Sequence, residues 1–244
     1  MVSFAQKRAI HDADANLILP VKPSTKCDTP GLLRRYRFWT AKLFYEITFA
    51  ILVRDTSWQE ELFASLAPKA GDRILDFGPG SASSTMSLAL RHPEATFVVV
   101  DPNSKAAERV RRSAVRKQVR NIAIIQASLP GKLPLNAGSF DAVVCTLALH
   151  DSPPDEKLGI VKEMTRVLRR GGTLRAVDLD KPENTGERRI LELATRISGA
   201  AAVGPHFDGS WIDVLAKGGL AGARRQSSCS IGIGRMAIVK ARKR

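Results

Sequence analysis

A short apolar strand that runs into an acid and a glycine-rich turn constrains this chain more than any other stretch. It is Arg73-Ile74-Leu75-Asp76-Phe77-Gly78-Pro79-Gly80, followed by Ser81-Ala82-Ser83-Ser84. The pattern reads as strand, turn and helix start. Glycine allows φ > 0 and lets a ligand approach the backbone closely. The first N–H groups of a helix have no partner inside it, so those of Ser81 to Ser84 are expected to point at that ligand. A unit of this kind grips the nucleoside part of a cofactor.

The rest of the chain repeats the alternation. Strands are expected at 73–77, 96–101, 121–126, 140–147 and 173–178, and helices at 82–91, 104–118, 155–169 and 210–217. Thr96-Phe97-Val98-Val99-Val100 and Ala142-Val143-Val144-Cys145 are nearly continuous apolar runs. Such runs belong to parallel strands buried on both faces. Strands alternating with helices predict a doubly wound, Rossmann-like α/β sheet. Two more strands, near 222–229 and 234–241, close it as an antiparallel hairpin through Gly232 and Gly234.

Ahead of the sheet, residues 1–30 carry Pro20, Pro23 and Pro30 without a sustained period and read as a flexible arm. Residues 31–67 read as a helical lid: Leu32, Tyr36, Trp39, Leu43, Ile47 and Ile51 recur at helical spacing. Ser57-Trp58-Gln59-Glu60 has the capping-box pattern and opens a helix running to about Leu66. Residues 68–244 form the cofactor domain, with an insertion at 181–209 that holds a helix from Arg188 to Ile197 and caps the substrate.

The 244 residues carry a formal net charge of +14. A balance this basic favours a negatively charged partner: nucleic acid, an anionic membrane surface or an acidic substrate. Cys27, Cys145 and Cys229 form no CxxC, so the sequence offers neither a zinc motif nor a disulfide framework. A reducing cytoplasm is the expected location, with peripheral membrane contact. No secretory signal is read at the start. The apolar run from Leu43 to Val53 is too short to span a bilayer and contains Glu46.

The identity of the cofactor turns on the acids. The dinucleotide fingerprint asks for a third glycine at 83, where Ser83 stands. Asp76 lies two residues before the first glycine, where its charge repels a diphosphate. It suits S-adenosylmethionine, which carries a sulfonium and an ammonium group and no phosphate. Asp101, at the end of the second strand, is placed to accept hydrogen bonds from ribose hydroxyls.

These stretches, with Leu133-Pro134-Leu135, Gly138-Ser139-Phe140-Asp141-Ala142-Val143, Leu147-Ala148-Leu149-His150 and Val167-Leu168-Arg169-Arg170-Gly171-Gly172-Thr173-Leu174, resemble the class I S-adenosylmethionine-dependent methyltransferases. The resemblance is to the ubiquinone and menaquinone biosynthesis branch and covers roughly residues 40 to 240. It implies a seven-stranded sheet whose last strand is antiparallel. It implies that Asp76, Gly78, Pro79 and Gly80 cradle the methionine end of the cofactor and that Asp101 holds the ribose. Pro102 or Asn103 would flank the adenine, with Ser128 and Leu129 nearby, and Thr146 and Leu147 would line the methyl-transfer side. Tyr45 falls where relatives often carry a tyrosine–aspartate pair, with Glu46 replacing the acid. Two further departures stand out. Ala82 occupies a position that is usually glycine, and Ala127-Ser128 replaces a Gly-Asp whose acid meets the adenine amino group.

Transfer of an already activated methyl group depends mainly on proximity and orientation. A base is needed only when the accepting atom starts protonated. His150 and Asp151 are the candidate bases, with Tyr45 from the lid, and His206 with Asp208 form a second pair. No local ligand spacing supports a metal site. Ser152-Pro153-Pro154-Asp155 reads as a turn and helix start, which argues against base N-methylation of nucleic acid. The expected function is methyl transfer to a small, hydrophobic acceptor such as a quinone, a lipid or a secondary metabolite. RNA methylation through the basic surface, and cofactor binding without catalysis, are the alternatives. Lys105, Arg109, Arg111, Arg112, Arg116, Lys117 and Arg120 cluster on or just after one helix, offset mainly by Glu108. They form either a solvated face or a surface for anionic lipid or RNA. Oligomeric state is not legible in the sequence.

Overall fold

The computed structural model describes residues 57–78, 82–127, 131–231 and 234–244. The expectations for residues 1–56, including Tyr45 and most of the lid, lie outside these residues. So do those for Pro79, Gly80, Ser128 and Leu129. The described elements are α1 (Ser57–Leu66), β1 (Arg73–Phe77), α2 (Ser83–Arg91), β2 (Thr96–Asp101), α3 (Ser104–Arg116), β3 (Ile122–Gln126), β4 (Phe140–Thr146), α4 (Pro154–Val167) and β5 (Leu168–Leu179). They continue with α5 (Thr185–Ser198), α6 (Ala200–Asp208), a 3₁₀ turn (Ser210–Ile212), α7 (Asp213–Lys217), β6 (Leu220–Ile231) and β7 (Gly234–Lys243).

The seven strands lie in the order β3-β2-β1-β4-β5-β7-β6. β1 to β5 are mutually parallel, and the last strand, β7, runs antiparallel to both its neighbours. Side chains alternate across each strand, so the sheet has two apolar faces. Ile74, Phe97, Val99 and Ile124 face α1, α2, α3, α5 and α6. Leu75, Val98, Val100 and Val143 face α4, α7 and the 3₁₀ turn with its fully buried Trp211. Fully burying each such side chain contributes roughly 1.5–3 kcal/mol, and this is the main term holding helices to the sheet. Strand order reverses between β1 and β4, and a crevice opens at the carboxyl ends of strands at such a switch point.

Polar contacts fix the helix ends. The Asn121 carboxamide nitrogen reaches the carbonyls of Ala89, His92 and Ala95, where α2 ends. Buried Arg175 donates to the carbonyl of Ser65 at 2.6 Å and to its hydroxyl at 3.1 Å, tying the carboxyl end of α1 to β5. Pro153 and Pro154 start α4, with Asp155 and Glu156 in its first turn, as the sequence predicts.

Some expectations need correction. Glu60 also makes a contact the sequence did not indicate: Arg91 donates to both carboxylate oxygens, at 2.6 and 2.8 Å. The helix expected to reach 169 ends at Val167, and the strand expected from 173 begins at Leu168, with an irregular register before Thr173. The insertion holds two helices, not one. Asn184 starts α5 early by accepting from the Glu187 N–H, and α6 forms despite Gly204 and the internal Pro205. The final helix is split into the 3₁₀ turn and α7 after Gly209, which sits at φ 82°. Among the described residues no helix is long and apolar enough to cross a membrane.

The packing of α7 on α4 is tight at Gly218, where a Cβ would meet Val161 Cγ1 at 2.2 Å. Gly218→Ala should therefore cost about 1–3 kcal/mol by overpacking. Thermal denaturation should show a melting temperature lower by roughly 2–4 °C per kcal/mol. An unchanged melting temperature would mean this contact is not close-packed.

Candidate active site

Asp76, the penultimate residue of β1, lies at the switch point and is only 3% exposed. One carboxylate oxygen, Oδ2, accepts from the Thr85 hydroxyl on α2. The other, Oδ1, is buried without a hydrogen-bond partner among the described residues. Burial pushes the group up from 3.8 to about 7, the nearby charge of Asp101 adds to the rise, and the Thr85 bond opposes it. Buried polar groups are normally satisfied, so an orphaned oxygen at a crevice marks a place for a ligand donor.

Asp101 ends β2 beside it and is also buried. Its Oδ1 accepts from the backbone N–H of Asn103 at 2.8 Å, which orients the carboxylate. The Asn103 side chain caps α3 by accepting from the N–H groups of Lys105 and Ala106, and Pro102 and Asn103 are both exposed at this rim. Between the two strand ends, Gly78 takes φ +65° and donates its N–H to the Val100 carbonyl. A Cβ there would meet the Ala148 Cβ at 3.0 Å, so only glycine fits. Ala82 takes the left-handed conformation at φ 49° just before α2. An L residue in that region costs about 1–2 kcal/mol.

The opposite wall is the segment after β4. Thr146 ends the strand half-buried, and Leu147 turns the chain at φ 55° with its N–H on the Val177 carbonyl at 2.7 Å. Asp178, near the end of β5, then gathers the segment. Its Oδ2 accepts from the backbone N–H groups of Leu149 at 2.8 Å and His150 at 3.2 Å. Its Oδ1 meets His150 Nδ1 at 2.8 Å and accepts from the Leu179 N–H. Burial alone would raise Asp178, but the His150 charge and hydrogen bond outweigh it and bring it down to about 2. His150 is 1% exposed. Burial works against its proton, yet Asp178 and Asp151 leave it raised above 6.5. Its Nε2 lies 3.4 Å from Asp151 Oδ1, and exposed Asp151 also accepts from Ser198 on α5.

The insertion is stapled to the sheet under this wall. Buried Lys157 on α4 donates to the Ala202 carbonyl at 2.9 Å and lies 3.4 Å from His206 Nε2. His206 Nδ1 meets the Leu179 carbonyl at 2.6 Å, and its ring stacks on Trp211. Burial lowers His206 to about 4, which leaves it neutral. The Trp211 indole N–H and Arg225 both donate to Asp180. Asp208 is exposed and accepts from the Ser210 N–H, so it is engaged with its own turn rather than forming a charge pair with His206. Among the described residues no group of three His, Cys, Asp or Glu side chains is arranged to hold a metal ion.

The sequence reading missed Thr85, Asp178 and Lys157. Asp178 carries the same signal that identified Asp76 and Asp101, an acid at the carboxyl end of an apolar strand. Thr85 and Lys157 carry none, because a helical threonine or lysine reads as solvated until its neighbours are known.

The residues present fit S-adenosylmethionine. A buried carboxylate with an unused oxygen and a second carboxylate beside it suit a cationic ligand without phosphate, and Gly78 leaves room for it. Residues 74–172 match the family model described as "Methyltransferase domain". An uncharacterized methyltransferase of Synechocystis is 32% identical over 49% of this chain and 53% of its own length. A demethylmenaquinone methyltransferase of Mycobacterium is 29% identical over 66% of this chain and 68% of its own length. The chain thus spans between about half and two thirds of these two relatives. A Thermotoga maritima structure, described as an S-adenosylmethionine-dependent methyltransferase and possible histamine N-methyltransferase, shares the fold. It aligns with a TM-score of 0.62 at 18% identity, over 85% of this chain and all (100%) of that one. Residues 74–172 carry a methyltransferase domain, and the chain resembles the class I S-adenosylmethionine-dependent methyltransferases in fold, with demethylmenaquinone methyltransferases among its relatives.

Proposed function

We propose that this protein transfers a methyl group from S-adenosylmethionine to a small, hydrophobic acceptor, a reduced quinone or similar ring, by in-line displacement. The observation that carries the reading is the half-satisfied Asp76 carboxylate at the strand switch point. When bound, S-adenosylmethionine supplies a methyl group already activated by its sulfonium. Asp76, Gly78 and Asp101 would hold it. Pro79, Gly80, Pro102, Asn103, Ser128 and Leu129 complete the proposed cofactor wall. Thr146 and Leu147 are proposed to line the methyl-transfer side, and the segment 181–209 and the proposed lid at 31–67 would together build the acceptor pocket. The quinone class rests on the demethylmenaquinone methyltransferase among the relatives.

Methylating a hydroxyl or an activated ring carbon releases one proton. His150 is the side chain proposed to take it. Asp178 fixes the ring through Nδ1, and Nε2, 3.4 Å from Asp151 Oδ1, is the nitrogen proposed to exchange the proton. Asp151 and Tyr45 are proposed to assist. Because Asp178 and Asp151 retain the proton on His150, the base form appears only as pH rises above the ordinary histidine value.

Incubation with methyl-labelled cofactor and a soluble 1,4-naphthoquinol should place label in an organic-soluble product. Transfer into RNA alone would contradict the proposal. His150→Gln should lower the rate about 10²–10⁴-fold with little change in cofactor affinity, the range for losing a general base. The wild-type rate should rise with pH through an inflection above 6.5. Asp178→Asn should move that inflection downward, because the carboxylate that retains the proton is gone. A pH profile unaffected by Asp178→Asn would exclude His150 as the base.

Asp76→Asn tests the cofactor cradle. A carboxylate raised in the folded state costs stability as pH climbs from 3.8 to about 7. The variant should therefore melt a few degrees higher than wild type at pH ~8, with the gain shrinking towards pH ~5. It should also bind S-adenosylmethionine at least roughly tenfold more weakly, as expected when one charge-assisted contact worth 1.5–3 kcal/mol is lost. Calorimetry showing undiminished affinity would overturn the assignment of Asp76.

A further inference from the structure

The outer face of α3 is the strongest feature that the catalytic reading leaves unused. At 3.6 residues per turn, Lys105, Arg109, Arg112 and Arg116 fall within about 60° of one another around the helix axis and span about 16 Å along it. The opposite face, Ala106, Ala107, Val110 and Ala114, is buried. α3 covers the β2–β3 end of the sheet, and β3 is an edge strand, so the cationic stripe faces away from the body of the protein. A single carboxylate, Glu108, serves the whole helix and is shared between Arg111 at 3.1 Å and Arg112 at 3.0 Å. Lys105, Arg109 and Arg116 are exposed and form no ion pair among the described residues, and exposed Lys117 and Arg120 follow directly.

Val115 lies beside the stripe and is 61% exposed. Leu90, 52% exposed, is the other large apolar side chain left open among the described residues. It sits at the end of α2, the neighbouring helix on the same face of the sheet. Cations flanking an open aliphatic side chain are the pairing that an anionic bilayer surface recognises: charges meet the headgroups and the apolar group enters the boundary. Single-stranded nucleic acid is instead gripped by aromatic groups interleaved with cations, and α3 carries no aromatic residue.

We propose that the α3 face docks the protein on an anionic lipid bilayer, with Lys105, Arg109, Arg112 and Arg116 on the headgroups and Val115 at the acyl boundary. The docking does not depend on which acceptor is methylated, so it stands or falls separately from the catalytic proposal. The test is co-sedimentation of the full chain with vesicles of phosphatidylcholine containing ~30% phosphatidylglycerol, at ~0.1 M salt, against phosphatidylcholine alone. Binding is expected only to the anionic vesicles and should fall with added salt. The triple substitution Lys105→Glu, Arg109→Glu and Arg116→Glu should lower partitioning at least about tenfold. Val115→Ser should lower it about threefold, by removing buried apolar area. Circular dichroism and S-adenosylmethionine binding should match wild type in both variants, which separates lost docking from lost folding. Three results would each overturn the proposal. They are wild type remaining in the supernatant with anionic vesicles, the triple variant binding them as wild type does, and Val115→Ser binding unchanged while a short single-stranded RNA binds wild type more tightly than vesicles do. The last would reassign the stripe to nucleic acid.

Discussion

Two buried carboxylates on adjacent strand ends set the character of this molecule. Asp76 lies one residue before the end of β1 and Asp101 ends β2, and the two strands pair in parallel register up to Phe77 and Val100. Each carries a short-range donor: the Thr85 hydroxyl for Asp76 and the Asn103 N–H for Asp101. Asp76 retains a buried oxygen without a partner among the described residues, and its proton affinity rises to about 7. A fold selected for stability alone would favour an apolar or amide group at that position, because an unpaired buried carboxylate is destabilising. The proposed ligand, which brings a positive charge, would offset that cost. This is also why the site suits a sulfonium and ammonium ligand and not a diphosphate.

A third carboxylate organises the opposite wall by different means. Asp178 is fully hydrogen-bonded, accepting from three backbone N–H groups and meeting the His150 ring, and its proton affinity falls to about 2. Equal burial therefore leaves two aspartates on opposite sides of the ordinary carboxylate value. The difference is the charge and hydrogen bond of His150, which Asp178 meets, whereas Asp76 has only the Thr85 hydroxyl and the repelling Asp101. Asp178 pins the strained turn after Thr146 and sets the orientation of His150. Below it, Lys157, His206 and Asp180 hold α6 and Trp211 to the sheet through contacts between buried groups. The insertion wall is thus part of the folded body, and the geometry between the two walls is set by the sheet itself.

Much of this was legible in the sequence because the governing signals are local. Continuous apolar runs gave the parallel strands, and acids at strand ends gave Asp76 and Asp101. The glycine requirement at 78 follows from its turn, and the structure adds the close approach of Ala148. What escaped depends on contacts distant in the chain. Glu60 has the sequence of a capping residue but is engaged by Arg91 from another helix. The helix carrying Gly204 and Pro205 has poor intrinsic propensity and forms where Ala202, Val203 and His206 are buried against the core. Lys157 is a site residue only because α4 meets α6, whereas Asp178 is marked by its place near the end of an apolar strand.

The most direct test of the central claim is proton release on cofactor binding. Titrating S-adenosylmethionine into the protein at pH ~6.5, in buffers of different ionisation enthalpy, counts the protons that leave. If Asp76 is protonated in the ligand-free crevice and ionised against a cationic cofactor, wild type should release a substantial fraction of one proton, and Asp76→Asn should release markedly less. Tight binding by wild type with no proton release would contradict the assignment of Asp76 as the group that recognises the cofactor's charge.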